Sequence, residues 1–431
     1  MGDLPPDRGK AAGDLKRSET GWNDLRKFCK VGGKLISNNS TKDSGQGDEM
    51  LDPTGRYYNI FMGCIMGGAF GDALGFPVEF MQLSEIVEHY GRQGIVKPQF
   101  GPNQKALVSD DTQMVLFGMD GLTEGIRLRR SGAADADAEI FLDLAYLDWY
   151  ATQQSRIRYT HPFTAIYTDH RLKAQRAPGK TCMSALSQQF IAAQGTGEEY
   201  NVQKRGTMEK PFNASKGCGS VMRAAPIGLM LNEETQNLQR ENVALAAARA
   251  AALTHGHPFA WLSSALLAEM IHRMLYRRPA DPTLERLAAN AVYQVEQQFR
   301  GLKDLPEFIA LMEKAMELAA TPSITTGKSL SRLGKGETCE SVLAMSLYLT
   351  LRYQNDYFTA IHAAVNQNGD SDTAGSVTGN LLGAWLGYEA ISYQLDCVYG
   401  MQDFLGQHLE MHDLILDTVR RAWHTAILGD H

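Results

Sequence analysis

The chain has 431 residues, of which 44 % are apolar and 21 % charged, and a formal net charge of −7. That is an ordinary globular composition with enough apolar side chains for a core, and it lacks the basic balance that marks most nucleic-acid binders. The cysteines stand singly at Cys29, Cys64, Cys182, Cys218, Cys339 and Cys397, with no CxxC pair and no zinc spacing. No basic-then-apolar leader opens the chain, and no run approaches the roughly 20 apolar residues of a membrane helix. The expectation is a cytoplasmic protein with free thiols, acting without nucleic acid or membrane.

Residues 1–54 are rich in Gly, Ser, Asn, Lys and Asp and poor in large apolar side chains. Such a segment buries too little to offset its ordering entropy and is expected to be a flexible extension. One island, Trp22, Leu25 and Phe28, repeats every third residue, as on one face of a short helix. It reads either as a tail packing on its own domain or as a partner-binding arm, since aromatic anchors dominate interfaces. From residue 55 to 431 the pattern is that of one large helical domain. Tyr57 to Gly71 is apolar and studded with glycine, which is costly inside a helix and implies close helix packing or close ligand approach. Helical periodicity predicts further helices over 113–122, 139–150, 241–253, 258–276, 284–299, 307–319, 339–353, 357–365 and 373–388. Strand-like alternation is nearly absent, so the fold class is all-α. A domain of this size needs a broad or layered core.

Two acidic motifs each precede an apolar helix: Ser109-Asp110-Asp111-Thr112 and Gly369-Asp370-Ser371-Asp372-Thr373. Asp, Ser and Thr cap helices, and the helix dipole favours acids there. One residue suffices for a cap, and four aspartates with hydroxyls exceed the need. If the motifs converge, their mutual repulsion calls for a cation, and hard oxygen donors without His or Cys suit Mg²⁺, Mn²⁺ or Ca²⁺. The second motif's spacing lets Asp370 and Thr373 hold one ion while Asp372 bridges two, and a two-metal site can activate water. The alternative is a pair of independent surface caps.

Three weaker signals stand apart. Glu79, among apolar neighbours in Gly71-Asp72-Ala73-Leu74-Gly75-Phe76-Pro77-Val78-Glu79, is either half of a salt bridge or a carboxyl tuned by burial for proton transfer. Gly217-Cys218-Gly219-Ser220-Val221-Met222-Arg223 is expected to open a helix whose free N–H groups cradle a diphosphate. His255 and His257 precede another helix, as caps, packing residues or ligands.

Taken in this order, GDALGFPVE at 71–79, SDDT at 109–112, RAPGKTC at 176–182, GCGSVMRAAPIG at 217–228, THGHP at 254–258 and GDSDTAGSVTGNLLGAWLG at 369–387 resemble the ADP-ribosylglycohydrolase family. The resemblance covers roughly residues 57–395. It implies a single orthogonal helical bundle holding two Mg²⁺ or Mn²⁺ ions, with Ser109, Asp110, Asp111, Asp370, Asp372 and Thr373 as ligands. It places Gly217, Gly219, Ser220 and His255 near the diphosphate and ribose of ADP-ribose. The implied activity is removal of ADP-ribose from a modified protein side chain, arginine first. Cleavage at C1″ passes through an oxocarbenium-like centre, with Glu79 or a metal-bridging aspartate, Asp372, taking the water's proton. Many members have Asn where this chain has Cys218, which puts side-chain contacts there in question. Some bacterial relatives look like immunity proteins against ADP-ribosyltransferase toxins, with an N-terminal extension over the toxin's active site. Residues 1–54 are compatible with such a role, with or without hydrolysis.

Overall fold

A computed structural model of the protein describes residues 53–133, 136–154, 162–195, 204–231, 242–277 and 283–429. The Trp22/Leu25/Phe28 face and Cys29 lie outside the described residues. Among the described residues seventeen α-helices follow in chain order: α1 (Pro53–Gly75), α2 (Leu83–Tyr90), α3 (Asp110–Arg130), α4 (Ala138–Thr152), α5 (Lys180–Gly195), α6 (Ala225–Met230), α7 (Val243–Ala252), α8 (Pro258–Leu275), α9 (Leu284–Gln298), α10 (Leu305–Ala319), α11 (Thr326–Leu333), α12 (Cys339–Arg352), α13 (Tyr357–Val365), α14 (Ser371–Leu386), α15 (Tyr388–Tyr399), α16 (Phe404–His408) and α17 (His412–Trp423). Extended pairing among the described residues amounts to two isolated bridges, Phe100 with Ala106 and Ala106 with Leu409. The fold is all-α, as the periodicity indicates.

The architecture is organised on α1 and α14. Glycine recurs every fourth residue on both: Gly63, Gly67, Gly71 and Gly75 on the first, Gly375, Gly379 and Gly383 on the second. The two rows meet in antiparallel order with backbone against backbone. A Cβ added to Gly71 would lie 2.1 Å from the Gly375 carbonyl oxygen, and one on Gly379 would lie 2.2 Å from that of Gly67. A glycine costs about 1 kcal/mol in a helix; here the close approach it permits offsets that cost. The consequence is positional. The C-terminus of α1, leading to Glu79, abuts the N-terminus of α14, where Asp370 and Asp372 sit.

Helix α1, continued to Val78, is long and apolar enough to span a membrane by length and composition, contrary to the sequence expectation. Its mean hydropathy is 1.3, yet 89 % of the window is buried inside the fold. The glycines that let it pack also dilute the run of large apolar residues in the sequence. Helix α14 begins two residues earlier than its periodicity predicts, because the Asp370 side chain accepts the Thr373 N–H. It stops at Leu386, because Gly387 has φ +84°. The glycine motif at 217–223 does not open a helix. Cys218–Ser220 form a single 3₁₀ turn, and α6 starts at Ala225, where Pro226 favours the first helical turn.

Candidate active site

Asp72, on the last turns of α1, is fully buried and organises the first acidic motif. Its carboxylate accepts the Ser109 N–H at 3.0 Å, the Thr112 N–H at 3.2 Å and the Thr112 hydroxyl. The start of α3 is thereby clamped to α1. Ser109 caps α3 by accepting the Asp111 N–H at 3.2 Å. The RAPGKTC segment straps the same helix end: Asp110 N–H donates to Arg176 O at 2.9 Å, and Gly179 N–H donates to Asp110 Oδ2 at 3.0 Å.

The second motif arrives from the opposite side. Asp370 caps α14, receiving the Thr373 N–H at 3.2 Å, and donates its own N–H to Gly336 O at 2.8 Å. Asp372 Oδ1 also receives the Thr373 N–H, at 3.0 Å. The two motifs touch where the Thr373 hydroxyl meets Asp111 Oδ1 at 3.5 Å. The structure therefore brings Ser109, Asp110, Asp111, Asp370, Asp372 and Thr373 into one buried neighbourhood, and the reading as independent surface caps is set aside.

The electrostatics of this neighbourhood are one-sided. Burial first, then the surrounding carboxylates, push the carboxyls of Asp111 and Asp372 well above the usual range. Asp110 is raised by burial, only partly offset by the Gly179 N–H. Burial lifts Asp72 to about 6 despite the hydrogen bonds it receives from Ser109 and Thr112. Half-buried Glu79 is lifted to about 7 by burial and by the charges of Asp370 and Asp72. Among the described residues none of these six carboxylates forms an ion pair with Lys, Arg or His. Asp111 Oδ2 is sealed from solvent with no hydrogen-bond partner. An all-oxygen donor set, an orphaned carboxylate oxygen and uncompensated charge suit a hard divalent cation. Among the described residues no three His, Cys, Asp or Glu side chains form a ready-made ligand cluster. The carboxylates share a neighbourhood, not a closed cage.

The glycine loop flanks the acidic cluster. Burial and the adjacent Asp370 carboxylate, which takes the thiol's hydrogen bond, push the Cys218 thiol up. The Cys218 thiol thus ties the loop to the second motif. Gly219 is required by crowding: an added Cβ would lie 2.7 Å from Cys182 Sγ and 3.1 Å from His255 Cε1. Ser220 Oγ is buried without a partner. His255 is buried against this loop, whereas His257 caps α8 by accepting the Phe259 N–H at 3.1 Å. Beside the loop, Lys216 pairs with Glu340 at 2.8 Å. A cavity of about 480 Å³ opens there, lined among others by Phe259, Lys335, Glu337 and Glu340. Gly336, the backbone partner of Asp370, adjoins its wall. Sequence reasoning assigned nothing to Asp72. The available signal was a lone aspartate in an otherwise apolar, glycine-rich helix, which must find several donors if it is buried.

The all-helical fold gathers six carboxylates without cationic partners where α1, α3 and α14 meet. The chain belongs to the ADP-ribosylglycohydrolase family, whose model matches residues 53–424, and the family name states the chemistry, hydrolysis at an ADP-ribosyl linkage. It is 25 % identical to the ADP-ribosyl-[dinitrogen reductase] glycohydrolase of Rhodospirillum rubrum, over 77 % of this chain and 86 % of that one. It is 25 % identical to the ADP-ribosylhydrolase ARH3 of Bos taurus over 45 % of this chain and 57 % of that protein. A solved ADP-ribosylglycohydrolase-related protein complex matches 86 % of this chain and 99 % of its own with a TM-score of 0.51 at 20 % identity, a likeness of fold.

Proposed function

We propose that this protein hydrolyses the N-glycosidic bond between ADP-ribose C1″ and a modified arginine side chain, using two divalent cations, Mg²⁺ or Mn²⁺. The observation that carries this reading is the set of buried carboxylates with no cationic partner where α1, α3 and α14 meet. Ser109, Asp110, Asp111, Asp370, Asp372 and Thr373 would hold the ions. Bound there, the ions supply positive charge that polarises water and ribose hydroxyls. Glu79, half-buried with its carboxyl near neutrality, is placed to take a proton from the attacking water as the C1″–O bond forms and C1″–N breaks. Asp372, at the first turn of α14, anchors the opposite side. The proton that Glu79 takes from water passes on to the departing guanidine nitrogen, so the water's OH ends on C1″ and its H on the leaving group. Gly217, Gly219, Ser220 and His255 hold the diphosphate, and the cavity beside Lys216 takes the adenosine end.

The test is release of ADP-ribose from an arginine-ADP-ribosylated protein, with Mg²⁺ and with chelator. Release that depends on the metal supports the reading; equal release in chelator, or none in either, contradicts it.

A second reading adds a binding role for residues 1–54. The family match begins at 53, leaving ahead of the domain a polar segment whose one aromatic face is Trp22, Leu25 and Phe28. Such an arm would occlude the active site of an ADP-ribosyltransferase toxin. Deleting residues 1–50 should then leave hydrolysis intact and weaken toxin binding. Unchanged binding removes the arm from the account.

A further inference from the structure

Arg223 is a buried cation without a carboxylate: among the described residues no acidic group lies within ion-pair distance. Its guanidinium stacks on the Tyr146 ring at 4.1 Å, touches the sulfurs of Met114 and Cys182 at 3.8 Å, and donates to Ala250 O at 3.4 Å. Its shortest contact is Nη2 to Thr254 Oγ1, 2.7 Å. Thr254 Oγ1 in turn lies 2.8 Å from Nδ1 of His255. The other ring nitrogen, Nε2, has no described partner, although the residue is only 1 % exposed. It faces the glycine loop, 3.5 Å and 3.4 Å from where Cβ atoms would stand on Gly217 and Gly219.

The donor rules constrain the protons along this chain. A guanidinium has donors and no acceptor, so Thr254 Oγ1 accepts from Arg223. The hydroxyl's own proton then has two neighbours to choose from, the His255 nitrogen and the Cys182 sulfur. Sulfur is the weak acceptor of the two, and the Cys182 thiol is turned toward Gly219 O at 3.6 Å. Donation to Nδ1, the stronger acceptor, places the ring's single hydrogen on Nε2, whereas donation to Cys182, which also bonds Thr254, would place it on Nδ1. Burial, helped by the charge of Arg223, holds His255 down at about 3, so the ring is neutral and has one tautomer to choose.

We propose that Arg223 and Thr254 are positioning residues that lock His255 as an uncharged Nε2–H donor aimed at a diphosphate oxygen of the ligand. This rests on the reading of the site as one for ADP-ribose. A phosphate oxygen only accepts, so the opposite tautomer would present a lone pair to a lone pair. Nε2 has no described protein partner and faces the glycine loop, so a ligand oxygen lying along that loop would accept its hydrogen.

The test reads the tautomer directly, from the ring-nitrogen NMR signals of His255 in ¹⁵N-histidine-labelled, ligand-free protein, and in parallel titrates ADP-ribose. Wild type and Thr254→Ser, which keeps the hydroxyl, should both show Nε2–H and bind ADP-ribose within about twofold of each other. Thr254→Val should lose the fixed tautomer and bind about tenfold more weakly. Protonation at Nδ1 in the wild type overturns the proposal, and that spectrum requires no variant to fold. Equal affinity of Thr254→Val and wild type overturns it as well. Absence of ADP-ribose binding to the wild type would fall on the proposed function and the ligand assignment; the tautomer is judged by the spectrum alone.

Discussion

Helix α3 carries two buried aspartates nine positions apart, and they are treated in opposite ways. Asp120 is sealed in the fold and satisfied from within: its carboxylate takes Arg421 on one oxygen and the Ile166 N–H on the other. Asp111 is as deeply buried, yet it has no cationic partner, one oxygen has no partner at all, and like charges surround it. Around the rim the same care appears: Arg171 bridges Asp169 and Asp413, and Arg176 pairs with Glu410. Arginines serve Asp120, Asp169, Asp413 and Glu410 but none pairs with the acidic cluster among the described residues, and that contrast is what supports the proposed cation site.

Asp372→Ala should lower turnover by about a thousandfold or more, the scale on which a transition-state electrostatic contact is lost, with the helical circular dichroism unchanged; near-normal rates would sink the scheme. On the structural side, Arg421→Met leaves Asp120 buried and unpaired and should cost about 3 kcal/mol of stability. Thermal melting would show it, while turnover below the melting range stays near wild type. Glu79→Gln should cost about a hundredfold in kcat. Burial and the charges of Asp370 and Asp72 lift Glu79 to about 7 in the metal-free protein; bound cations would lower it, so the loaded enzyme's rate should rise with pH through a value below 7, and the variant should lose that limb.

The smallest effect runs opposite to intuition. In chelator, Asp111→Asn should raise the melting temperature at pH 8, because it removes a carboxylate whose ionised form is disfavoured by burial and by its like-charged neighbours. The sign follows from linkage. These carboxyls have folded-state values raised above the unfolded ones, so the stability they contribute is present below about pH 4 and is lost as pH rises through the folded values. Those are about 6 for Asp72 and about 7 for Glu79. Metal-free wild type should therefore melt lower at pH 8 than at pH 5. Asp111→Asn should flatten that slope, and a variant that melts lower than wild type at pH 8 would contradict the account of the cluster.

The acidic motifs were legible because they are local: short oxygen side chains ahead of an apolar helix mark a helix start whatever the tertiary context. The all-α class was legible for the same reason. What joins the motifs was only half legible. Glycines every fourth residue on α1 announce a small face, but spacing cannot say that α14 is the partner. Asp72 and Arg223 escaped because each draws its meaning from residues 31 to 40 positions away. Helices α2, α11 and α16, of eight, eight and five residues, are too short for periodicity to show. The 3₁₀ turn at Cys218–Ser220 was read as a helix start because glycine and serine punctuate both.

The most direct measurement is a crystal structure of the protein grown with Mn²⁺ and recorded at a wavelength where manganese scatters anomalously. The account predicts two anomalous peaks between the Ser109–Asp111 and Asp370–Thr373 segments, each within ligand distance of aspartate oxygens. Well-ordered crystals with no peak there, and with the carboxylates still unpaired, would contradict it.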